Sequence, residues 1–234
     1  MKAIFPVLAL IFVSAAAMAE TRPVVVELFT SQSCSSCPPA DALLGELAKR
    51  PDIIALGFHV TYWDGAAWRD PFARQESTER QMVYGRRLTG GQVYTPQMVI
   101  EGMTDAVGSN RGAVLAAIDK ARPAATAAVT FGPDRHSVMI GPGMPTETAT
   151  GAVPAGATVV LARYALSRTT RIAGGENASR TLVDTNGVEA LTTLGAWDGT
   201  TVSFAIEPPA AGEGLAVLVQ AQDGRIFGAA QLRS

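Results

Sequence analysis

Apolar residues follow three rhythms along this chain. The run Val24-Val25-Val26-Glu27-Leu28-Phe29 is nearly continuous in β-branched and aromatic residues, the pattern of a strand covered on both faces. Thr30 to Ser36 is small and polar, as in a turn. From Pro38 to about Arg50 the rhythm changes, with Ala40, Leu43, Leu44, Leu47 and Ala48 on one helical face. Pro38 and Pro39 fit only the first turn of that helix, where no backbone N–H is needed, and Pro51-Asp52 ends it. Ile53 to Val60 reads as a second buried strand. Strand, helix and strand in succession predict a βαβ unit with parallel strands.

Thr61 to Tyr94 interrupts this pattern with an aromatic loop (Tyr62, Trp63, Trp68, Phe72) and a polar helix over about Ala73–Leu88. Tyr94-Thr95-Pro96 precedes a third strand, Gln97–Ile100, and Glu101-Gly102 turns into a short fourth near Ala106-Val107. Asn110 suits the cap of a last helix with Val114, Leu115, Ile118 and Ala121 on one face. The third rhythm begins at Thr126: short β-rich runs separated by Gly/Pro turns, as in an antiparallel sandwich. The expected fold is α/β, with residues 24–122 an α/β domain carrying a helical insertion and residues 123–234 a β-rich, sandwich-like domain packed on it. Within Thr169–Asp198, Gly174, Gly175 and Asn177 mark an excursion, and Val188–Leu194 reads as a short helix.

Composition changes the picture at the N-terminus. Lys2 and the apolar run Ala3–Ala17, followed by Ala17-Met18-Ala19, fit a secretory signal peptide cleaved after Ala19. The chain is then exported, to the periplasm or beyond, and no later segment is long and apolar enough to span a bilayer. With 47% hydrophobic residues the chain suits a packed fold, and a formal charge of −2 without long basic runs argues against nucleic-acid binding.

Both cysteines, Cys34 and Cys37, lie at the start of the first helix. Two cysteines at i and i+3 share a helix face and bring their sulfurs within bonding range. So short a loop removes little unfolded-chain entropy, so chemistry explains the pair better than stapling. The positive end of the helix favours a thiolate, which is both nucleophile and leaving group. On this reading an uncovered Cys34 attacks a partner disulfide, the more buried Cys37 resolves the mixed disulfide, and protein thiols or disulfides are the partners. A Cys34 sealed inside the fold would bring it down. An inert bridge and a metal site remain open alternatives, the latter a soft Cu(I) site drawing on Cys34, Cys37, His59 and Met98, with Met103 nearby. Exchange itself calls for no diffusible cofactor.

The runs VVVELFTSQSCSSCPPADALLGELA, HVTYWDGAAWRDPFARQ and VYTPQMVIEG resemble exported bacterial proteins grouped as domain of unknown function family 1223, a thioredoxin-like branch. GGENASRTL and LGAW further along resemble that family too. The resemblance implies a thioredoxin-like domain with Cys34 as nucleophile, Cys37 as resolving thiol and Pro96 as a cis proline facing the disulfide. A cis turn there leaves the Thr95 backbone free to pair with an extended substrate. It also suggests Glu27 as proton acceptor for Cys37, although Glu27 stands one residue further from the first cysteine than the thioredoxin acid. Ser33 and Ser35-Ser36 replace the aromatic residue and the Gly-Pro pair of thioredoxins, adding no charge beside Cys34.

His59, at the end of the second strand, is a candidate general base or metal ligand, or a histidine bonded to backbone. Trp63, with Asp64, Trp68, Arg69 and Asp70, forms a candidate substrate-binding lip. His136 has no visible partner in sequence, and Asn177-Ala178-Ser179 matches a glycosylation pattern that a bacterial origin would make incidental.

Overall fold

All seven residues of β1 (Val24–Thr30) and of β2 (Ile53–His59) are buried, and the two strands pair in parallel with Thr30 opposite His59. They are joined by α1 (Pro38–Leu47), whose Leu43, Leu44 and Leu47 are buried. The computed structural model describes residues 22–121, 127–143 and 157–234. The expected signal peptide lies outside the described residues. None of the described helices is long and apolar enough to cross a membrane.

After β2, a single 3-10 turn (Thr61–Trp63) leads to α2 (Gln75–Leu88). Then come β3 (Gln97–Ile100), antiparallel to β1, β4 (Thr104–Val107) and α3 (Arg111–Lys120). Asn110 caps α3 as expected, its Oδ1 accepting from Ala113 N–H at 3.1 Å, a contact worth about 1 kcal/mol. The second half adds β5 (Ala127–Phe131), β6 (Ser137–Gly143), β7 (Ala157–Arg171), β8 (Thr181–Trp197), β9 (Val202–Ala205), β10 (Glu213–Gln220) and β11 (Ile226–Arg233).

The sheet corrects the expectation of a β-rich unit packed beside an α/β unit. One eight-stranded sheet runs β11-β10-β7-β8-β2-β1-β3-β4, and β8 joins it to β2 through a parallel bridge at Gly57 and Gly187. Asn186, at φ 49°, reinforces the seam by donating to Ala55 O at 2.8 Å. The sheet curls far enough for Ile226 N–H to reach Glu101 O at 3.3 Å. That approach explains Gly102, since a Cβ there would lie 1.8 Å from Gly224 O. The sandwich element survives in part. β5-β6-β9 form a separate three-stranded sheet, whose Val138 and Ile140 pack with Val159, Leu161, Leu215 and Val217 of the large sheet.

Val188–Leu194 is not a helix but the middle of the 17-residue strand β8. Its Glu-Ala-Leu composition suits a helix, but β7 offers a hydrogen-bonding partner along almost the whole strand, from Thr181 opposite Arg171 to Trp197 opposite Ala157. Tertiary pairing overrides propensity here.

Side-chain alternation sorts the central strands into two faces. Val24, Val26, Leu28, Ile53 and Ala55 pack with α1 and α3. Val25, Phe29, Ile54, Leu56 and Phe58 pack on the other face with Tyr84 of α2 and with Tyr164 and Leu218. His59 and Thr30 therefore fall on the α1 side, and Glu27 on the α2 side.

Candidate functional site

Cys34 and Cys37 form a disulfide, with Cα atoms 5.4 Å apart. Cys37 is the N-cap of α1, and Pro38 and Pro39 occupy its first two positions. Prolines carry no N–H, and Ala40 and Asp41 N–H already donate to Cys37 O at 2.8 and 3.1 Å. The first turn therefore offers no spare backbone donor, and only the helix dipole is left to favour a thiolate. Ser36 adds a donor that the sequence argument did not credit, its hydroxyl oxygen 3.4 Å from Cys34 Sγ.

On the α1 side lies a cluster of acids around one buried histidine. His59 Nδ1 meets Asp70 Oδ2 at 2.7 Å, and its Nε2 is 3.6 Å from Asp184 Oδ1. Thr30 Oγ1 donates to Asp41 Oδ1 at 2.8 Å. Asp41 stands one turn beyond Cys37 on the same face of α1. The loop carrying Cys34 is tied to this cluster. Gln32 N–H donates to Asp70 Oδ2 at 2.8 Å, and Gln32 Nε2 donates to Asp184 Oδ2 at 2.7 Å.

Charge in the cluster follows from burial and pairing. Burial works against a charged His59, but the bond to Asp70 and the charges of Asp184 and Asp41 outweigh it and hold its pKa up at about 9. Burial pushes the Asp41 carboxyl up to about 7, against the pull of His59 and the Thr30 hydroxyl. Burial also raises Asp184. Asp70 is buried too, yet its bond to His59 brings it below the usual carboxylate range. Asp41 was missed from sequence because an acid in a first helical turn is an ordinary feature, and Asp184 because it comes from a strand far along the chain.

The cis peptide expected at Thr95-Pro96 is present. Gly108 locates the proline. A Cβ on Gly108 would lie 3.0 Å from Ala40 Cβ and 3.2 Å from Pro96 Cβ, so the proline ring packs by the first turn of α1. Among the described residues, Thr95 makes no backbone–backbone hydrogen bond. Trp63 Nε1 donates to Thr95 Oγ1 at 2.7 Å, which brings together the two expected substrate-binding residues. Trp63 is 37% exposed and Tyr62 43%, an aromatic ledge at this edge.

Other expectations need correction. Cys34 is not uncovered: both cysteines are 0% exposed. The loop between β7 and β8 lies over the turn between them, with Asn177 Nδ2 donating to Cys34 O at 2.9 Å. Glu27 does not face Cys37's helix. It sits across the sheet, buried against Arg80 of α2 and accepting from Arg80 Nε at 3.1 Å. His59 has both ring nitrogens turned to carboxylates, Asp70 at 2.7 Å and Asp184 at 3.6 Å, which take the positions a metal would occupy. Met98 is buried in the core behind α1, and Met103 follows β3 at the far end of that strand from Gln97, which pairs with Phe29 near the disulfide. Among the described residues no group of three or more His, Cys, Asp or Glu has metal-site geometry, which gives no support to the alternative copper site. Asn177 is fully buried with its amide engaged, which excludes glycosylation. His136 is exposed, with its backbone N–H on Asp134.

Comparison with curated proteins finds no match. Among solved structures, a crystal structure of protein AGR_C_4864 from Agrobacterium tumefaciens is similar at 31% identity and a TM-score of 0.73, covering 92% of this chain and 95% of that one. HBP35 of Porphyromonas gingivalis is similar in fold alone, at 14% identity and a TM-score of 0.56, over 91% of this chain and 75% of that one. Residues 25–220, from the second residue of β1 to the end of β10, match the family described as protein of unknown function DUF1223, and the chain belongs to that family.

Proposed function

We propose that this protein is an exported thiol–disulfide exchange protein acting on polypeptide thiols or disulfides. The observation that carries the reading is the Cys34–Cys37 disulfide at the start of α1 with cis Pro96 packed by the same helical turn. The β2-β1-β3-β4 order, with β1 and β2 parallel and β3 antiparallel, is similar to that of thioredoxin-like proteins and supports the same reading. An extended partner would pair with the free Thr95 backbone and rest on Trp63.

In the reduced protein, the Cys34 thiolate attacks one sulfur of a partner disulfide. A Cys34–partner bond forms, the partner S–S bond breaks, and the departing thiolate takes up a proton. Cys37 then loses its proton and attacks Cys34 Sγ, which reforms the Cys34–Cys37 bond and releases the second partner sulfur. Two electrons pass from the pair to the partner, and the reverse sequence oxidises a partner dithiol. Asp41, with a pKa near 7 and one turn from Cys37, suits the role of proton acceptor in the second step.

A variant with Cys37→Ser tests this directly. Expressed in the periplasm, it should accumulate mixed disulfides on Cys34. A complete lack of trapped partners under both oxidising and reducing conditions overturns the reading. The sealed state of both cysteines favours one second reading, a binding module with an inert bridge. A reduced protein that exchanges with no test peptide disulfide, with a Cys34 pKa at or above about 8.5, would establish it.

A further inference from the structure

A disulfide that is 0% exposed at both sulfurs cannot meet a partner until something moves. The segment between β7 and β8, residues 172–180, is fastened over it. Asn177 is itself fully buried, and its Nδ2 donates to Gln32 O and to Cys34 O, each at 2.9 Å. Its Oδ1 accepts from Arg180 Nη1 at 2.8 Å, which fixes the amide orientation. Next to it, Ser35 N–H, between the two cysteines, donates to Glu176 Oε2 at 3.1 Å. The loop then abuts the segment before α2. Gly174 lies so close to Ala67 that a Cβ would come within 2.0 Å of Ala67 O, and Gly175, at φ 73°, faces Trp68 Cβ.

Of the two side chains that fasten it, Asn177 is buried and Glu176 is exposed. Gly175 and Ala178 are exposed too, Ile172 is buried at the base of the loop, and the loop closes on itself through Ala178 N–H to Gly175 O and Ser179 N–H to Ile172 O. It can therefore lift as a unit without breaking the β7–β8 ladder. What it covers is polar backbone, namely Cys34 O, Gln32 O and Ser35 N–H, and these are the groups an extended polypeptide satisfies with its own N–H and C=O.

We propose that residues 172–180 form a removable cover over the Cys34–Cys37 disulfide, and that Asn177 and Glu176 thereby determine which reductants reach it. Small thiols are held off while the cover is closed. A polypeptide replaces the cover because it supplies the backbone donors and acceptors that Asn177 and Glu176 give up. The proposal rests on the exchange reading for its biological sense, but its test reads access to the bond and not activity on a partner.

The experiment follows reduction of the oxidised full chain by dithiothreitol, using alkylation and intact mass. One dithiothreitol thiolate attacks a sulfur of the pair and the Cys34–Cys37 bond breaks. The second thiol then displaces the mixed disulfide, and two electrons and two protons end on Cys34 and Cys37. Glu176→Ala, at an exposed position, and Asn177→Ala should each accelerate reduction roughly five- to tenfold, the scale of one net hydrogen bond lost from the closed state. The rate should be nearly independent of urea well below the unfolding midpoint, because opening a short loop exposes little surface. The wild-type protein should react faster with a cysteine-bearing extended peptide than with glutathione, and both variants should lose that preference. Rates that do not rise in either variant, or that climb steeply with urea as global unfolding requires, overturn the cover. Loss of the cover in this experiment leaves the Cys37→Ser trapping result free to stand, and failed trapping leaves the access measurement free to stand.

Discussion

His59 Nδ1 lies 2.7 Å from Asp70 Oδ2 with both side chains buried, which makes the folded protein a tight binder of one proton. The imidazole titrates near 6.5 when unfolded and near 9 in the fold. The stability it contributes is complete below about pH 6.5 and is lost as pH climbs through about 9. Asp41, raised from 3.8 to about 7, acts in the same direction at lower pH, its contribution fading as pH rises through 7. The midpoint of thermal unfolding of the oxidised protein should therefore fall steadily from mildly acidic pH to pH 9. Asp70→Asn should flatten the upper part of that decline, because His59 loses the partner that holds its proton. A wild-type midpoint that stays level from pH 6 to pH 9 would remove the charged pair from the account.

Asp41→Asn separates charge from hydrogen bonding. An asparagine keeps an oxygen to accept from Thr30 Oγ1 but cannot ionise. The variant should gain on the wild type as pH rises from 4 to 8, since the native carboxylate is disfavoured where it sits. If Asp41 also takes the Cys37 proton, the pH profile of exchange loses its break near 7 in this variant, while the affinity for peptide is unchanged. A break that persists would free Asp41 from the proton step without touching its effect on stability.

Much of this geometry was legible in the sequence, and the reasons are local. Pro38-Pro39 after Cys37 marks a helix start, Asn110 marks a cap, and an unbroken apolar run marks a strand covered on both faces. Each is a short-range signal that tertiary packing left standing. The acids around His59 carry no such signal. Asp70 sits in an aromatic loop, Asp41 looks like an ordinary first-turn acid, and Asp184 reaches the site only because β8 pairs with β2. The β7–β8 ladder explains the misread helix in Val188–Leu194, and the junction of that hairpin with β2 explains the continuous sheet and the covered disulfide. All three depend on where a long hairpin from the second half lands.

Glu27 and Arg80 give a prediction opposite in kind to the Asp41 one. The Arg80 guanidinium bonds Glu27, Gln220 and Tyr84, and stands 5.4 Å from the centre of the Phe58 ring. Removing one partner leaves a buried charge unmatched, so Arg80→Met should cost about 3–5 kcal/mol, read as a drop in the urea midpoint. Glu27→Gln should also lower stability, yet leave the rate of exchange with a peptide disulfide close to wild type, because Glu27 faces away from α1. A large loss of exchange in a Glu27→Gln protein of normal stability would return Glu27 to the proton-acceptor role that the family resemblance suggested.

Trp63 and Thr95 test the docking edge separately from the chemistry. The indole N–H fixes the ring beside the Thr95 backbone, which makes no backbone–backbone hydrogen bond among the described residues. Trp63→Phe keeps an apolar ring but removes that anchor, and an unanchored ring must be ordered each time a partner binds. The loss of a single net hydrogen bond predicts a KM for peptide disulfides raised by roughly five- to tenfold. The bond-forming sulfur is untouched, so kcat should stay near the wild-type value, and so should the rate of reduction by dithiothreitol, which needs no docking. Thr95→Val, which removes the acceptor and leaves the backbone, should raise KM by a similar factor, and the double variant should be no worse than either single one, since both break the same contact. A fall in kcat with KM unchanged would move Trp63 out of the binding edge and into the support of the disulfide itself.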